Sequence, residues 1–295
     1  MTGQAMLLQG RAVVVTGAGR GIGRACALAA AEQGASVVVN DVDAEEAQAV
    51  AREIAATGGR ALAHPADITD WQAAAALVDA CVAAYGAIDG MVNNAAVFQA
   101  ASILDADEAS WRRTIEVNVI GSAFCLAHAG RAMARQGCGR IVNVASGGQH
   151  GVRDATPYGT SKGAVASMTY CAAIDLEGLG VTVNAVCPRA TTRMAHAEAA
   201  HARAKGREPL FREMLAAEDN AVLVAYLLSD AAAGFNGQVF RVEDDGFSLV
   251  SHPTVLVPRA IVDRRDGAAI ATAVEEVLKP LAQPLGIHRA QVRYV

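Results

Sequence analysis

Short apolar runs alternate with helix-length segments along most of the chain. The runs are rich in valine, isoleucine and alanine, as in strands buried on both faces, and the longer segments carry apolar residues at helical spacing. This alternation predicts right-handed βαβ crossovers and a parallel sheet with helices on both faces. The predicted strands are Ala12–Thr16, Ser36–Asn40, Arg60–Ala63, Ile88–Val92, Arg140–Ala145, Val181–Cys187 and Gln238–Val242. The predicted helices are Ile22–Gln33, Ala44–Ala56, Trp71–Tyr85, Ser110–Arg135, Pro157–Leu179 and Asp219–Leu228.

The regular alternation ends near Gly246. We therefore predict one α/β domain over residues 1–246, a doubly wound Rossmann-type parallel sheet of about seven strands. Residues 247–295 contain prolines and one predicted helix, Ala268–Leu281, so we interpret them as a C-terminal extension. Three aspartates, Asp41, Asp43 and Asp70, stand where helix N-caps are expected.

Composition and charge exclude several classes of protein. The formal net charge of −5 leaves no basic face for nucleic acid. No apolar run reaches the roughly 18 residues of a membrane span, and Met1–Arg11 lacks the pattern of a secretory signal. Six scattered cysteines without a Cys-x-x-Cys pair favour a reducing, cytoplasmic location. The histidines show no metal-ligand spacing, so no metal is predicted.

A glycine-rich segment, Thr16–Gly23, lies between the first predicted strand and the first predicted helix. Glycines permit a tight turn and a close approach of backbone amides to a pyrophosphate, and the helix N-terminus favours that anion. A tight turn without a ligand is the alternative. The candidate cofactor contacts in this turn are Gly17, Arg20, Gly21, Ile22 and Gly23.

Asp41 closes the second predicted strand, 24 residues after Gly17. A carboxylate there can accept hydrogen bonds from the adenosine ribose hydroxyls and repels a 2′-phosphate, which predicts NAD as the cofactor. Arg20 argues the other way, because an arginine in this turn can hold a 2′-phosphate. A helix N-cap is the alternative role for Asp41.

Tyr158 and Lys162 lie one helical turn apart in the segment Tyr-Gly-Thr-Ser-Lys. A tyrosine with a pKa of about 10 is a poor base at neutral pH, and a nearby lysine cation stabilises its phenolate. The pair therefore predicts proton transfer to or from an alcohol, with Lys162 lowering the pKa of Tyr158. A helix-surface pair without a chemical role is the alternative.

Together, the Thr-Gly-x-x-x-Gly-x-Gly spacing and the Tyr-x-x-x-Lys pair resemble the short-chain dehydrogenase/reductase family, and the resemblance covers residues 8–246. It implies that Asp67 and Ile68 contact the adenine. It also implies that Asn94 and Ala95, in an Asn-Asn-Ala-Ala segment where the family has Asn-Asn-Ala-Gly, lie beside the cofactor.

The resemblance completes a catalytic tetrad. It implies that Ser146, at the end of the fifth strand, positions the substrate oxygen, and that Asn118 holds a water linking Lys162 to solvent. The alternatives are a turn residue at Ser146 and, at Asn118, a buried amide that bonds to its own helix.

After the sixth strand, Pro188 resembles the start of the family's Pro-Gly segment beside the nicotinamide, with Arg189 in place of the glycine, so Pro188 is implied to contact the cofactor. Either Thr191 or Thr192 is implied to contact the nicotinamide, with Thr191 preferred. The family places a mobile substrate lid here, which we predict over residues 189–215. Residues 189–212 carry six lysines and arginines against two glutamates, a net charge of +4.

The basic lid favours an anionic substrate, although its cations can instead pair with acids on the body of the domain. Short strings, including Arg193-Met194, resemble hydroxyacyl-CoA and hydroxysteroid dehydrogenases of the multifunctional-enzyme type, which implies a substrate of one of these kinds. The family implies a homodimer or homotetramer. The alternatives are an NADPH-dependent carbonyl or 3-oxoacyl reductase and a non-catalytic dinucleotide-binding regulatory protein.

Overall fold

The apolar runs form one eight-stranded sheet in the computed structural model, which describes residues 6–209, 215–253, 258 and 267–282. The strands are β1 (Ala12–Val15), β2 (Ser36–Val39), β3 (Arg60–Ala63), β4 (Gly90–Asn93), β5 (Gly139–Val144), β6 (Val181–Cys187), β7 (Val239–Glu243) and β8 (Gly246–Val250). Their spatial order is β3-β2-β1-β4-β5-β6-β7-β8. All neighbours up to β7 run parallel. The predicted doubly wound α/β fold is confirmed.

Nine α-helices lie in the described residues, most of them connecting the strands. They are α1 (Gly21–Glu32), α2 (Ala44–Ala56), α3 (Trp71–Tyr85), α4 (Glu108–Ile115), α5 (Ser122–Gln136), α6 (Thr156–Asp175), α7 (Arg193–Ala204), α8 (Ala217–Leu227) and α9 (Gly267–Ala273). The helix α7 lies in the predicted lid, of which residues 210–214 are outside the described part of the chain.

Alternate residues of the buried strands pack into two cores, one on each face of the sheet. Val13 and Val15 of β1 pack in the core that includes α1, α2 and α8. Ala12 and Val14 pack in the opposite core with α3 and α5. This is the period of two expected of a strand, and burial on both faces explains why the strands read as unbroken apolar runs.

The strand order reverses beside β1, whose neighbours are β2 and β4. The backbone amide of Thr16, just past β1, donates to the carbonyl of Val92 in β4 at 3.0 Å. The loops that follow β1 and β4 therefore lie side by side at the carboxyl ends of the strands. In open α/β sheets, this crevice is where ligands bind.

The prediction of one continuous α-helix over Ser110–Arg135 is wrong, because the helix is interrupted in its middle. A π-helical turn, Glu116–Gly121, separates α4 from α5. A π turn inserts an extra residue into a helix and occurs often at functional sites. It contains the fully buried Asn118. It ends at Gly121, where an added Cβ would lie only 2.8 Å from the side chain of Ile68.

Two of the three predicted aspartate caps are confirmed. Asp43 accepts the backbone amide of Glu46 at 3.4 Å, and Asp70 accepts that of Ala73 at 2.7 Å. The N-cap role for Asp41 is wrong, because its carboxylate instead accepts the amides of Gly19 and Asp43.

The strand β8 was not predicted. It pairs antiparallel with β7 through a turn at Asp244 and Asp245, so the sheet continues to Val250. The chain divides into two compact units, Met1–Val250 and Ser251–Val295. In the second unit, α9 continues as a π-helical turn, Val274–Leu278, and a 3-10 turn, Lys279–Leu281. Among the described residues, no helix is both long and apolar enough to span a membrane.

Candidate active site

The glycine-rich turn between β1 and α1 has a conformation that needs its glycines. Gly17 and Gly21 have φ values of 59° and 53°, in the left-handed region that side chains disfavour. At Gly23, an added Cβ would lie 2.2 Å from the carbonyl oxygen of Gly17. The first turn of α1 therefore packs directly on the backbone of the loop, as the predicted dinucleotide turn requires.

The N-terminus of α1 fits a pyrophosphate. Its N-cap residue, Arg20, supplies no side-chain acceptor, and the first turn holds no acidic residue. Gly21 is exposed, and a Cβ built on it would meet only the methyl group of Thr192, 3.7 Å away. The space over the turn is open, and uncapped helix amides favour an anion there. Ile22 is half-buried against the adjacent core.

Asp41 lies against this turn, where its Oδ2 accepts the amide of Gly19 at 3.0 Å. Arg20, which argued for a 2′-phosphate, is held by two other acids: its Nη2 lies 2.7 Å from both Asp43 and Glu46. The Arg20 guanidinium lowers the pKa of the Asp43 carboxyl below its usual range. Three carboxylates, those of Asp41, Asp43 and Glu46, therefore lie beside the glycine-rich turn and its arginine.

Asn94 fastens the loop after β4 to the glycine-rich turn. Its Nδ2 donates to the carbonyls of Thr16 and Gly17 at 2.9 and 3.0 Å. The hydroxyl of Thr16 accepts the amides of Asn94 and Ala95 at 3.1 and 3.2 Å. Thr16 was not predicted as a site residue, although it begins the glycine motif. These contacts bring the two loops of the predicted cofactor site together.

The two predicted adenine contacts, Asp67 and Ile68, make contacts within the protein that do not themselves indicate a dinucleotide. The carboxylate of Asp67 accepts the amide and hydroxyl of Thr69 at 3.0 and 2.8 Å, and the backbone hydrogen bond lowers its pKa. The side chain of Ile68 is buried and packs against Gly121. The contact of either residue with a dinucleotide stays a prediction.

Tyr158 and Lys162 lie one turn apart on α6, at the carboxyl edge of the sheet. The hydroxyl of Ser146 and the ring of Tyr158 both border Gly148, and hydrogen bonding from Ser146 lowers the pKa of the phenol. The Nζ of Lys162 donates to the carbonyl of Val144 at 2.6 Å and lies 5.7 Å from the centre of the Tyr158 ring. Phe98 packs edge-on against that ring, with centroids 5.1 Å apart. No sequence motif pointed to Phe98.

Asn118 joins this cluster through the neighbouring helix. Its Oδ1 accepts the amide of Val97 at 2.8 Å, and its Nδ2 donates to the carbonyl of Val97 and to the hydroxyl of Ser161, each at 3.0 Å. Ser161 donates in turn to the carbonyl of Tyr158 at 2.7 Å. The alternative that Asn118 bonds to its own helix is therefore wrong. The structure brings all four predicted tetrad residues together.

Burial governs the charge of both reactive groups. It raises the pKa of the Tyr158 phenol above its usual value, although the hydrogen bond from Ser146 opposes the rise. It lowers the pKa of Lys162 to about 8. The expectation that Lys162 and the positive nicotinamide ring together lower the pKa of Tyr158 concerns the enzyme with its cofactor bound, and it stays a prediction. In the protein alone, Lys162 is not among the groups that lower this pKa. The ammonium donates to a backbone carbonyl instead of the phenol, so the cost of burying the phenolate dominates.

The family described as Enoyl-(Acyl carrier protein) reductase matches residues 17–248. The cis-4-hydroxycyclohexanecarboxylate dehydrogenase of Sinomonas cyclohexanicum is 41% identical over 245 residues, 81% of this chain and 97% of that protein. The (2S)-[(R)-hydroxy(phenyl)methyl]succinyl-CoA dehydrogenase subunit BbsD of Thauera aromatica is 41% identical over 183 residues, 62% of this chain and 74% of that one. A crystal structure of a short chain dehydrogenase from Mycobacterium avium superposes with a TM-score of 0.82 and 31% identity, covering 96% of this chain and 100% of that one.

The chain belongs to the short-chain dehydrogenase/reductase family. It is an oxidoreductase that acts on CH–OH groups with a nicotinamide dinucleotide.

The departure from the family pattern at Arg189 is held by contacts with two other elements. Arg189, in place of the glycine after Pro188, pairs with Asp244 of the β7–β8 turn at 2.8 Å. Its backbone is held by Asn220 of α8, which accepts the Arg189 amide at 2.8 Å and donates to its carbonyl at 3.0 Å. Beyond Arg189, the amide of Thr191 donates to the carbonyl of Leu215 at 2.9 Å.

Thr192 is the residue of this segment that approaches the glycine-rich turn. Its methyl group lies over Gly21, and its hydroxyl accepts the amide of Ala195 at 3.3 Å as the N-cap of α7. Thr191 is exposed. The choice between the two threonines as the nicotinamide contact stays open.

Three of the six lysines and arginines in the predicted lid form ion pairs with aspartates on the body of the domain. Lys205 pairs with Asp105 at 2.7 Å, Arg207 with Asp154, and Arg189 with Asp244. Arg193 and Arg203 are exposed and make no ion pair within the described part of the chain. Arg212 lies outside the described residues. The ion-pair interpretation of the lid's charge therefore holds for three of its six cations.

Proposed function

We propose that the protein is an NAD(H)-dependent dehydrogenase that interconverts a secondary alcohol and a ketone, with Tyr158 as the acid/base. The observation that carries the proposal is the juxtaposition of Ser146 and Tyr158 around Gly148, beside Lys162. An acid/base must reach the proton that it transfers, and this pair presents two hydroxyls at one point beside the dinucleotide crevice.

Each residue then has one task. Ser146 holds the substrate oxygen, and the Tyr158 phenolate takes the alcohol proton during oxidation or the phenol returns it during reduction. Lys162 holds the nicotinamide ribose and supplies positive charge near the phenolate, while Asn118 orders the water that leads the proton to solvent. The bound dinucleotide accepts or supplies the hydride. The exposed N-terminus of α1 and the turn residues Gly17–Gly23 hold its pyrophosphate.

NAD is the cofactor that the charges favour. Asp41 lies against the turn, and its proposed role is to accept hydrogen bonds from the ribose hydroxyls, while Asp43 and Glu46 pair with Arg20. A 2′-phosphate would have to displace both of these acids and approach a third. These contacts weigh against the alternative of an NADPH-dependent carbonyl or 3-oxoacyl reductase.

For the substrate, we favour a secondary alcohol that also carries an acidic group. One relative is named for a hydroxycyclohexane carboxylate and the other for a hydroxylated succinyl-CoA. Arg193 and Arg203 remain exposed at the predicted lid to attract such an anion. A hydroxyacyl-CoA meets this description, as does a hydroxysteroid with a carboxylate.

The test is a matched screen with the purified protein. Cyclohexanol, 4-hydroxycyclohexanecarboxylate, a 3-hydroxyacyl-CoA and a carboxylated hydroxysteroid are each offered with NAD and with NADP, and the reduced dinucleotide is measured. We expect turnover with NAD and the highest kcat/KM for an anionic alcohol. Higher efficiency with NADP would overturn the cofactor assignment, and a neutral alcohol as the best substrate would overturn the substrate class.

Two further properties are proposals on family grounds. We propose a homodimer or homotetramer, which sedimentation of the purified protein tests directly. We also propose a cytoplasmic location, with all six cysteines free as they are in the structure.

A further inference from the structure

Asp154 has an unusual backbone for its position. Among the described residues, it is the only non-glycine residue with a positive φ, 54°. Such a conformation is retained where the surroundings fix it, and it concentrates at functional sites. Here the Asp154 carbonyl accepts the amide of Ala101 at 2.8 Å, and the carbonyl of Ala101 accepts the amide of Thr156 at 3.1 Å. These contacts fix the loop that leads directly into α6 and Tyr158.

The carboxylate of Asp154 faces the end of the predicted lid. Arg207 donates to its Oδ2, the Nε2 of His201 lies 3.4 Å from the same oxygen, and the Nζ of Lys205 lies 4.0 Å away. Only 11% of the Asp154 side chain is exposed, against 54% for Asp105, the other acid that contacts Lys205. A partly buried charge pair is screened less and coupled more strongly than an exposed one.

We propose that Asp154 is a positioning residue that fastens the lid to the catalytic loop, through its ion pairs with Lys205 and Arg207 and its contact with His201, a cluster that we name the Asp154 latch. Its backbone fixes the approach to Tyr158, and its carboxylate holds the far end of α7, whose near end begins at Thr192 over Gly21. One residue thus joins the loop between Ser146 and Tyr158 to the segment that covers it. The proposal rests on the proposed function of the tetrad.

The latch predicts an effect on substrate binding with little effect on the dinucleotide, because the glycine-rich turn lies at the other end of α7. We expect Asp154→Asn to raise KM for the alcohol about fivefold or more, since it leaves partly buried cations without their counter-charge. The dissociation constant of NADH should stay within about twofold of wild type. Hydrogen exchange of residues 193–207 should accelerate.

Further variants separate the role of the Asp154 carboxylate from the roles of its backbone and of the exposed acid Asp105. Asp154→Gly removes the carboxylate and relieves the left-handed conformation, so it should match Asp154→Asn if the ion pair matters. Asp105→Asn removes an exposed contact of Lys205 and should change KM less than about twofold. Arg207→Gln should reproduce the effect of Asp154→Asn, and the double variant should be no worse than either single variant, because both remove one interaction.

Wild-type KM in Asp154→Gly would overturn the latch and leave a role for the backbone turn alone. Equal effects of Asp105→Asn and Asp154→Asn would overturn it as well, as would unchanged hydrogen exchange in Arg207→Gln. Failure of the proposed function looks different: the wild type turns over no alcohol with either dinucleotide. In that case the exchange rates of residues 193–207 still decide whether the latch exists.

Discussion

At the scale of single residues, burial sets the protonation of the two reactive groups on α6. The phenol of Tyr158 is more difficult to ionise than tyrosine in water, and Lys162 loses its proton more easily than lysine in water. Both shifts share one cause, the cost of charge away from water. The protein alone therefore presents a neutral phenol, the form that donates a proton to a carbonyl oxygen during reduction.

Replacing Tyr158 with phenylalanine tests its chemical role. Phe keeps the ring that packs on Phe98 and removes only the hydroxyl, so kcat should fall by about 10² or more while NADH affinity is kept. Steady-state kinetics and NADH fluorescence titration measure the two quantities. Tyr85→Phe, on α3, is the control and should keep full turnover. A Tyr158→Phe enzyme with turnover within threefold of wild type would remove Tyr158 from the chemistry.

The raised pKa of Tyr158 fixes the direction of the pH dependence. Oxidation needs the phenolate, so its kcat/KM should rise as pH increases through the alkaline range. Reduction needs the phenol, so its kcat/KM should fall over the same range. Rate measurements in both directions across one pH series check this, and profiles that move in the same direction contradict it. Tyr158→Phe should lose both dependences.

Asp41 is expected to select the cofactor. Asp41→Ala removes an acceptor for the ribose hydroxyls and a charge that repels a 2′-phosphate, so the ratio of kcat/KM for NAD over NADP should fall about tenfold or more. Asp43→Ala is an informative partner variant, because it removes one of the two acids that pair with Arg20 and leaves Asp41 in place. A preference unchanged in Asp41→Ala would show that Asp41 serves only to hold the amide of Gly19.

At the scale of elements, most of the fold was predictable, because period and burial agree along the chain. The bounds of α2, α3 and β6 match their predictions, since apolar spacing and aspartate caps fix them locally. The π-helical turn around Asn118 and the strand β8 were not predictable in the same way. The first depends on contacts with Val97 and Ser161, and the second on pairing with β7.

The residues of the candidate site also fall into those that local sequence predicts and those that depend on distant contacts. The glycine turn, Asp41 and the Tyr158–Lys162 pair are readable because each is a local pattern with a direct chemical meaning. Phe98 and Asp154 are not, because their roles come from residues distant in sequence. Burial raises the pKa of Tyr158 in the protein alone, an effect that sequence spacing does not give, because spacing gives the distance to Lys162 but not the solvent lost around the phenol.

The packing of α1 on its loop gives a test at this scale. In Gly23→Ala, the new methyl group would meet the carbonyl of Gly17 and the side-chain amide of Asn94, at 2.2 and 2.4 Å. We expect a lower melting temperature and a loss of NADH affinity of about tenfold or more, because the turn must open. Gly163→Ala on α6 is the matched control. A Cβ there meets nothing within 4 Å, and replacing glycine in a helix stabilises it by up to about 1 kcal/mol. Equal stability of the two variants would contradict the packing argument.

At the scale of the whole molecule, charge is distributed unevenly. The chain carries −5 overall, while residues 189–212 carry +4. Asp105, Asp154 and Asp244 face three of the six cations, so the positive charge left for a substrate lies, among the described residues of the segment, on Arg193 and Arg203. Exposed charges act on a ligand over a distance of about 8–10 Å at physiological salt. We therefore expect Arg193 and Arg203 to attract an anionic alcohol weakly at physiological salt.

Salt dependence tests this directly. KM for an anionic alcohol should rise severalfold between low and high ionic strength, because salt screens Arg193 and Arg203, whereas KM for cyclohexanol should stay constant. Replacing both arginines with glutamine should raise the anionic KM at low salt and abolish its salt dependence. Turnover of the neutral alcohol serves as the internal control, since it reports any damage to the tetrad. If KM for the anion is independent of salt, the cations of this segment serve only to hold it to the body of the domain.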